Sequence, residues 1–137
     1  MANLAPRVQV EWRGDRLRFQ GRAGDRPWVE VDGDAGTAIS PVETLLLAAA
    51  TCAASDVVVI LKKMRVALTS VTVDVEGRRR EQEPRRYTAI RFAWRLGGEG
   101  LVRDKAQRAV DLSIQKYCSV LASLAPDIGI SSDIVVE

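Results

Sequence analysis

The longest apolar stretch of the chain runs from Ser40 to Asp56 and reads SPVETLLLAAATCAASD. It opens with the signature of a helix start, because Ser40 suits the N-cap, Pro41 the first helical position and Glu43 the third. We therefore predict a helix that begins at Pro41 and extends to about Lys63. At 1.5 Å per residue this helix is roughly 35 Å long.

Nearly every face of the predicted helix is apolar between Leu45 and Leu61. A helix that is hydrophobic all round is buried on all sides, and a chain of 137 residues has difficulty surrounding it alone. We therefore expect a second chain to cover one face. The uncharged run from Thr44 to Ser55 has 12 residues, fewer than the roughly 18 that suggest a membrane span. The sequence thus predicts no transmembrane segment.

The segments on either side of the helix alternate apolar and polar residues, which is typical of β-strands. Before the helix, strands are expected at residues 8–13, 16–19 and 28–31, with a hairpin turn at Gly14-Asp15. After it, the pattern predicts strands over 66–75 and 87–96, joined by a polar hairpin connection. In the second of these, Ile90, Phe92 and Trp94 share one face, and the glycines that follow Leu96 are expected to end it.

The last third of the chain predicts one more helix and one more strand. Apolar residues recur at helical spacing from Arg103, with a kink expected near Cys118 and a stop at Pro126. A final strand is expected over 128–136. The order of strands, long helix, hairpin, helix and strand predicts an α+β fold rather than a doubly wound sheet. Nothing in the sequence marks a linker, so residues 1–137 are predicted to form one domain.

The composition narrows the range of partners and compartments. With 20 basic and 18 acidic residues the net charge is +2, which implies no strong polyanion partner. The N-terminus lacks a charged segment followed by an apolar one, so we expect a cytoplasmic protein without a signal peptide. The arginines at 78–80, 85 and 86 are interleaved with acidic residues and lack an aromatic platform. They predict a solvated hairpin rather than a nucleic-acid site.

Two cysteines, Cys52 in the apolar helix and Cys118 near the predicted kink, are the residues that best suit chemistry. The chain contains no His, and a thiol pair without His excludes most metal sites and Cys/His nucleophile pairs. Two interpretations stay open: redox chemistry, or two small buried side chains that fill space. In a reducing compartment only a transient disulfide between them is expected.

Three charged residues qualify as companions of the cysteines. Glu43 completes the helix start and precedes Cys52 by nine residues, on the opposite face of the helix, so one helix alone cannot bring the two together. Asp56 lies one turn beyond Cys52, where it either influences the thiol or pairs with a nearby basic residue. Arg85 follows Pro84 at the start of the returning strand, from where it can face the sheet.

These residues together resemble the OsmC/Ohr family, most closely its short OsmC-like branch. The first cysteine motif of that family is similar to Ser40-Pro41-x-Glu43, Ala48-Ala49-Ala50-x-Cys52 and Asp56-Val57-Val58. Its second half is similar to Pro84-Arg85-x-Tyr87-Thr88-x-Ile90 and Ala109-Val110-x-Leu112-Ser113-x-x-Lys116-Tyr117-Cys118-Ser119-Val120. The resemblance covers about residues 8–137.

The resemblance implies an intertwined homodimer in which antiparallel-rich six-stranded sheets wrap two long central helices. It also implies a thiol peroxidase without a metal or cofactor, whose active sites lie at the subunit interface. The cysteine matching Cys52 attacks a hydroperoxide, and the one matching Cys118 resolves the sulfenic acid to a disulfide. A dithiol, such as a lipoylated protein, then reduces the disulfide.

The family's site also contains a Glu that matches Glu43 and an Arg that stabilises the thiolate. Arg85 is the match suggested by the OsmC-like branch, whereas Arg16 and Arg13 in the early hairpin are alternatives. The apolar residues around Cys52 favour organic hydroperoxides over hydrogen peroxide.

Two other functions fit the same residues. One is a non-enzymatic dimer that holds a small apolar ligand while its cysteines stay inert. The other is a general thiol–disulfide or sulfur-transfer enzyme that uses the same cysteine pair.

Overall fold

The computed structural model of the chain describes residues 5–137. Contacts within the chain divide it into two compact units, one ending at Leu45 and one extending from Leu46 to Glu137. The single domain expected over residues 1–137 therefore stays a prediction.

The first unit contains an antiparallel sheet of three strands in the order β1-β2-β3: β1 (Gln9–Trp12), β2 (Arg18–Arg22) and β3 (Val29–Asp32). The register pairs Val10 with Gly21 and Phe19 with Val31. The predicted turn follows β1, and Gly14 adopts a φ of 79° within it. Strand β2 begins later than expected because Arg16 has a φ of 49°, a left-handed conformation that does not fit a strand.

After β3 the chain turns around the buried carboxylate of Asp32. Its Oδ1 accepts the backbone N–H of Asp34 at 2.8 Å, and its Oδ2 accepts the N–H and hydroxyl of Thr37 at 2.9 and 2.8 Å. These hydrogen bonds, that of Asp34 first, lower the pKa of Asp32 from 3.8 to about 2. The charged carboxylate therefore closes the loop that leads into the long helix.

The long helix, α1 (Pro41–Lys63), has the predicted bounds. Ser40 and Glu43 form the predicted capping box: the Ser40 N–H donates to Glu43 Oε1 at 3.0 Å, and the Glu43 N–H donates to Ser40 Oγ at 3.2 Å. Each residue thus satisfies a backbone donor that a helix start leaves unpaired. This reciprocal pair explains why the helix begins where it does.

The second unit continues α1 and adds the C-terminal elements. They are β4 (Ala67–Arg79), β5 (Tyr87–Glu99), α2 (Arg103–Leu112), a π-helical turn (Ser113–Tyr117), α3 (Ser119–Ala122) and β6 (Gly129–Val136). The sheet order is β4-β5-β6, with β4 antiparallel and β6 parallel to β5. The chain therefore has the predicted α+β class and an antiparallel-rich arrangement, in two three-stranded sheets.

Strand β4 is longer than predicted, because Gly77 belongs to the strand rather than to the connection. A Cβ at Gly77 would lie 2.2 Å from Cε1 of Tyr87. The absence of a side chain thus lets the buried Tyr87 ring pack across the strand. The sequence pattern indicated a turn at this glycine, whereas the structure uses it for close packing.

The core of the second unit combines one face of β5 with one stripe of α1 and one of α2. The predicted face of β5 is confirmed, since Ile90, Phe92 and Trp94 are at most 1% exposed. The helices contribute Ala49, Ala53, Val57 and Leu61 from α1, and Ala106, Ala109 and Val110 from α2. The spacing of four in α1 places its buried residues in a single stripe.

A single chain leaves part of α1 uncovered, which agrees with the expectation that a chain of 137 residues cannot surround this helix alone. The second chain expected to cover another face stays a prediction. Leu47, Val58 and Val59 are 51%, 42% and 52% exposed, because the elements of the chain cover only one stripe of the helix. By length and a mean hydropathy of 2.1, α1 also passes the test for a membrane-crossing helix. The core helix of a soluble protein passes the same test; here 22% of the most apolar window is buried.

Candidate active site

The structure brings together the two cysteines that lie 66 residues apart in the sequence. Cys52 is half-buried on α1, whereas Cys118 is 3% exposed between the π-helical turn and α3. Both are free thiols. Cys52 is near enough to Cys118 to raise the pKa of its thiol, so the fold places the two cysteines in one neighbourhood.

The surroundings of Cys118 keep its thiol protonated. Burial raises the pKa of Cys118, and the neighbouring Cys52 side chain raises it further. Cys118 is the N-cap of α3, and the backbone N–H groups of Leu121 and Val120 lower its pKa. This lowering is smaller than the rise that burial causes, so desolvation outweighs the stabilisation of a thiolate by the helix start.

Sequence reasoning missed a buried serine that connects the segments carrying the two cysteines. Ser113, at the start of the π-helical turn, is fully buried. Its hydroxyl contacts Asp56 Oδ2 at 2.9 Å and the Ala53 carbonyl at 3.2 Å, both on α1. Its own carbonyl accepts the N–H of Cys118 at 2.8 Å. The only signal in the sequence is the position of Asp56, one helical turn from Cys52.

Glu43 belongs to the capping box of α1. The backbone N–H and the hydroxyl of Ser40 lower the pKa of Glu43, so its carboxylate is charged at neutral pH. The side chain is exposed.

Arg85 lies in the exposed connection before β5, which begins at Tyr87. Its carbonyl accepts a hydrogen bond from Arg79 Nε at 2.7 Å. Its guanidinium forms no hydrogen bond or ion pair within residues 5–137. The structure thus leaves this charge free at the surface rather than pairing it with a carboxylate.

The two alternative arginines lie in the first unit. Arg13 pairs with Glu30 at 2.5 Å and also contacts Gln20 at 3.2 Å. Arg16 is exposed, and its carbonyl accepts the indole N–H of Trp12 at 2.9 Å. Arg13 is therefore already neutralised, whereas the Arg16 guanidinium is not ion-paired among the described residues.

The second unit contains a cavity of about 510 Å³ close to the cysteine pair. Asp56, one turn from Cys52, and Tyr117, which precedes Cys118, both line it. Its other lining residues are Val59, Ile60, Lys63, Met64, Arg108 and Leu112. A second, smaller cavity of about 170 Å³ reaches Cys118 itself. Mostly apolar walls with a few charged groups are typical of a small-molecule site.

Within residues 5–137, no three His, Cys, Asp or Glu side chains form a cluster suited to a metal ion. The two thiols are the candidate reactive groups that the sequence analysis named.

Comparisons with known proteins agree with this fold. Protein YhfA of Escherichia coli (strain K12) is 38% identical over 125 residues, which cover 90% of this chain and 92% of that protein. The crystal structure of a hypothetical protein from Aquifex aeolicus VF5 has a TM-score of 0.84 at 28% identity and covers 98% of both chains.

A more distant structure, from Legionella pneumophila, is described as an organic hydroperoxide resistance protein OsmC. It has a TM-score of 0.70 at 13% identity and covers 99% of this chain and all of the other, so the likeness concerns the fold alone. The family model described as OsmC-like protein matches residues 32–133. That match spans most of the chain, so the chain belongs to the OsmC-like protein family.

Proposed function

We propose that the protein reduces organic hydroperoxides, with Cys52 as the attacking thiol and Cys118 as the resolving thiol. The observation that carries this proposal is that two free thiols from distant parts of the chain lie near enough for Cys52 to raise the pKa of Cys118. Membership of the OsmC-like family supports it, as does the description of the Legionella pneumophila structure as an organic hydroperoxide resistance protein.

The difference between the two thiols supports this division of roles. Cys52 is the more exposed, so a substrate reaches it first. Its thiolate attacks the O–O bond of ROOH, takes the distal oxygen as a sulfenic acid, and releases RO⁻, which takes up a proton to give ROH. The Cys118 thiol then attacks the Cys52 sulfur. The disulfide forms, and the sulfenic oxygen leaves as water with the Cys118 proton. A dithiol such as a lipoylated protein returns both cysteines to thiols.

The substrate class follows from the apolar surroundings of Cys52. Alanines at 48, 49, 50, 53 and 54 flank it on α1, and the nearby cavity has a floor of Val59, Ile60, Met64 and Leu112. An apolar wall stabilises an alkyl or aryl group by about 25 cal/mol per Å² buried, a contribution that hydrogen peroxide cannot receive. We therefore expect cumene or tert-butyl hydroperoxide to be preferred.

We further propose that the protein works as a homodimer in the cytoplasm. The exposed apolar residues of α1, Leu47, Val58 and Val59, are those that a second copy would cover. An open groove of about 380 Å³ lies beside two of them, between α1 and Val71 and Val73 of β4. Glu43 would orient an arginine toward the Cys52 thiolate, with Arg85 the first choice and Arg16 the second. The free charge of Arg85 fits this role, since a paired arginine such as Arg13 is less available.

The experiment is peroxide consumption with dithiothreitol as reductant. Wild type is expected to turn over cumene hydroperoxide faster than hydrogen peroxide, and Cys52→Ser to lose turnover. Cys118→Ser is expected to consume about one peroxide per site and then stall, with sulfenic or sulfinic Cys52 detected by mass spectrometry. Arg85→Met is expected to slow the reaction at neutral pH, and Arg16→Met less so.

Ser123→Ala is the matched control, because its hydroxyl is exposed, lies outside the groove and bonds to the Ser119 carbonyl at 2.8 Å. Full turnover by Cys52→Ser would refute the peroxidase. An unchanged steady-state rate in Cys118→Ser would give Cys118 a structural role instead. Turnover of disulfides without turnover of peroxides would favour a thiol–disulfide enzyme.

The cavity of about 510 Å³ favours a second candidate, a dimer that binds a small apolar ligand. Organic extraction of the purified protein followed by mass spectrometry tests it. A stoichiometric apolar compound, together with inert cysteines, would support ligand binding over peroxide reduction.

A further inference from the structure

Ser113 is a buried polar residue that contacts both segments of the cysteine site. Its side chain is fully buried, and its hydroxyl contacts α1 at Asp56 Oδ2 (2.9 Å) and at the Ala53 carbonyl (3.2 Å). Ala53 follows Cys52 directly, and Asp56 stands one turn further on. The hydroxyl is therefore fixed to the turn of the helix that carries Cys52.

The main chain of Ser113 holds the other cysteine. The Cys118 N–H donates to the Ser113 carbonyl at 2.8 Å, across the five residues of the π-helical turn. This wide turn adds a residue relative to an α-helical turn, and Cys118 beyond it is extended, with φ −69° and ψ 106°. One residue thus binds the Cys52 helix through its side chain and the Cys118 backbone through its carbonyl.

We propose that Ser113, held by Asp56, is a positioning residue that keeps Cys118 against Cys52 and thereby favours the disulfide. A disulfide forms readily only when the two sulfurs are presented in a narrow range of geometries. A rigid arrangement raises the effective concentration of one group toward the other. Without the Ser113 hydroxyl, the π-helical turn loses its polar attachment to α1, and Cys118 samples positions farther from Cys52.

The positioning role of Ser113 rests on the proposed function in one respect only, namely that the peroxidase would use the disulfide. The test therefore measures disulfide formation in the absence of peroxide. The reduced protein is equilibrated in glutathione buffers, where the dithiol and oxidised glutathione give the protein disulfide and two reduced glutathione molecules. Alkylation and mass spectrometry measure the disulfide fraction. Ser113→Ala is expected to lower the equilibrium constant roughly fivefold to tenfold, the effect of one lost buried hydrogen bond.

Changes at Asp56 separate positioning from general loss of structure. Asp56→Ala removes the acceptor and is expected to match Ser113→Ala, whereas Asp56→Asn keeps an acceptor oxygen and is expected to stay close to wild type. Asp56 is half-buried, so these variants carry the test even where Ser113→Ala does not fold. Ser123→Ala, whose exposed hydroxyl bonds to the Ser119 carbonyl at 2.8 Å, is the control and should leave the constant unchanged.

The proposal is overturned if folded Ser113→Ala and Asp56→Ala both stay within about twofold of the wild-type constant, or if Asp56→Asn falls as far as Asp56→Ala. A shifted equilibrium in a protein that consumes no peroxide would keep the positioning role and reject the peroxidase. Full peroxide turnover with an unshifted equilibrium would keep the peroxidase and reject the positioning role.

Discussion

Two opposing effects determine the pKa of the buried Cys118 thiol. A helix start presents backbone N–H groups that stabilise a thiolate, and burial removes the water that stabilises it. Here α3 has four residues and the side chain is 3% exposed, so burial prevails and the pKa is raised. Because the thiolate is the attacking form, a resolving Cys118 has to give up its proton as it attacks the Cys52 sulfur, and that proton leaves with the sulfenic oxygen as water.

The raised pKa of Cys118 predicts a loss of stability at alkaline pH. The unfolded thiol titrates near pH 8.5, below the folded one, so the contribution is fully present below that pH. It is lost as pH rises through the folded pKa, with a slope of at most about 1.4 kcal/mol per pH unit. In a Cys52→Ser background, which prevents the disulfide, denaturant unfolding from pH 7 to 10 should show this decline. Replacing Cys118 by Ser should remove it, and an equal decline in both variants would contradict the prediction.

At the scale of elements, the end of β5 depends on glycines that the sequence pattern assigns to a loop. The strand continues through Gly97 and Gly98 to Glu99. A Cβ at Gly98 would lie 2.5 Å from the Ala67 carbonyl oxygen and 2.7 Å from the Leu68 Cα. Both are backbone atoms of the paired strand, next to a register shift between Leu68 and Ser70. The glycine therefore permits a close approach at a bulge rather than ending the strand.

Gly98→Ala should destabilise the protein by about 1–3 kcal/mol, the usual cost of forcing extra atoms into a packed site. Gly129→Ala is the matched control, because its Cβ would meet only the Thr88 carbonyl oxygen at an ordinary 3.8 Å. Urea unfolding of the two variants measures the difference. Equal stability of Gly98→Ala and Gly129→Ala would show that the bulge relaxes without cost.

The same elements show which features of the fold can be predicted from the sequence. The bounds of α1 were predictable because Ser40, Pro41 and Glu43 form a local signal that needs no tertiary contact. The buried face of β5 was predictable from its alternation. Long-range packing was not: the use of Gly77 and Gly98 depends on a neighbouring strand.

In the candidate site, too, some features can be predicted from the sequence and others depend on the folded chain. Cys52 and Cys118 were identifiable because they are the chain's only thiols. The attachment through Ser113 depends on a helix 57 residues away, and an isolated serine carries no sign of such a partner. The burial that raises the pKa of Cys118 is likewise a property of the folded chain.

At the scale of the whole molecule, α1 has an apolar face that the rest of the chain leaves exposed. The helix has a mean hydropathy of 2.1 in its most apolar window, of which 22% is buried within the chain. Leaving Leu47, Val58 and Val59 in water forfeits the free energy that their burial would provide. The groove between α1 and β4 extends the same face. A second copy of the chain is the occupant that the proposed function requires.

The homodimer can be tested at Val58, which lines the groove and is 42% exposed in one chain. Val58→Glu should leave a folded monomer but prevent association, because an unpaired carboxylate buried at an interface costs several kcal/mol. Light scattering should give about twice the chain mass of 15.0 kDa for wild type and the chain mass itself for the variant. Val102→Glu is the control: Val102 is 54% exposed and lies outside the groove, at the N-cap of α2, where a carboxylate is tolerated. If the wild type is a monomer in dilute solution, the homodimer proposal is wrong. If Val58→Glu is still a dimer, the interface does not include this part of α1.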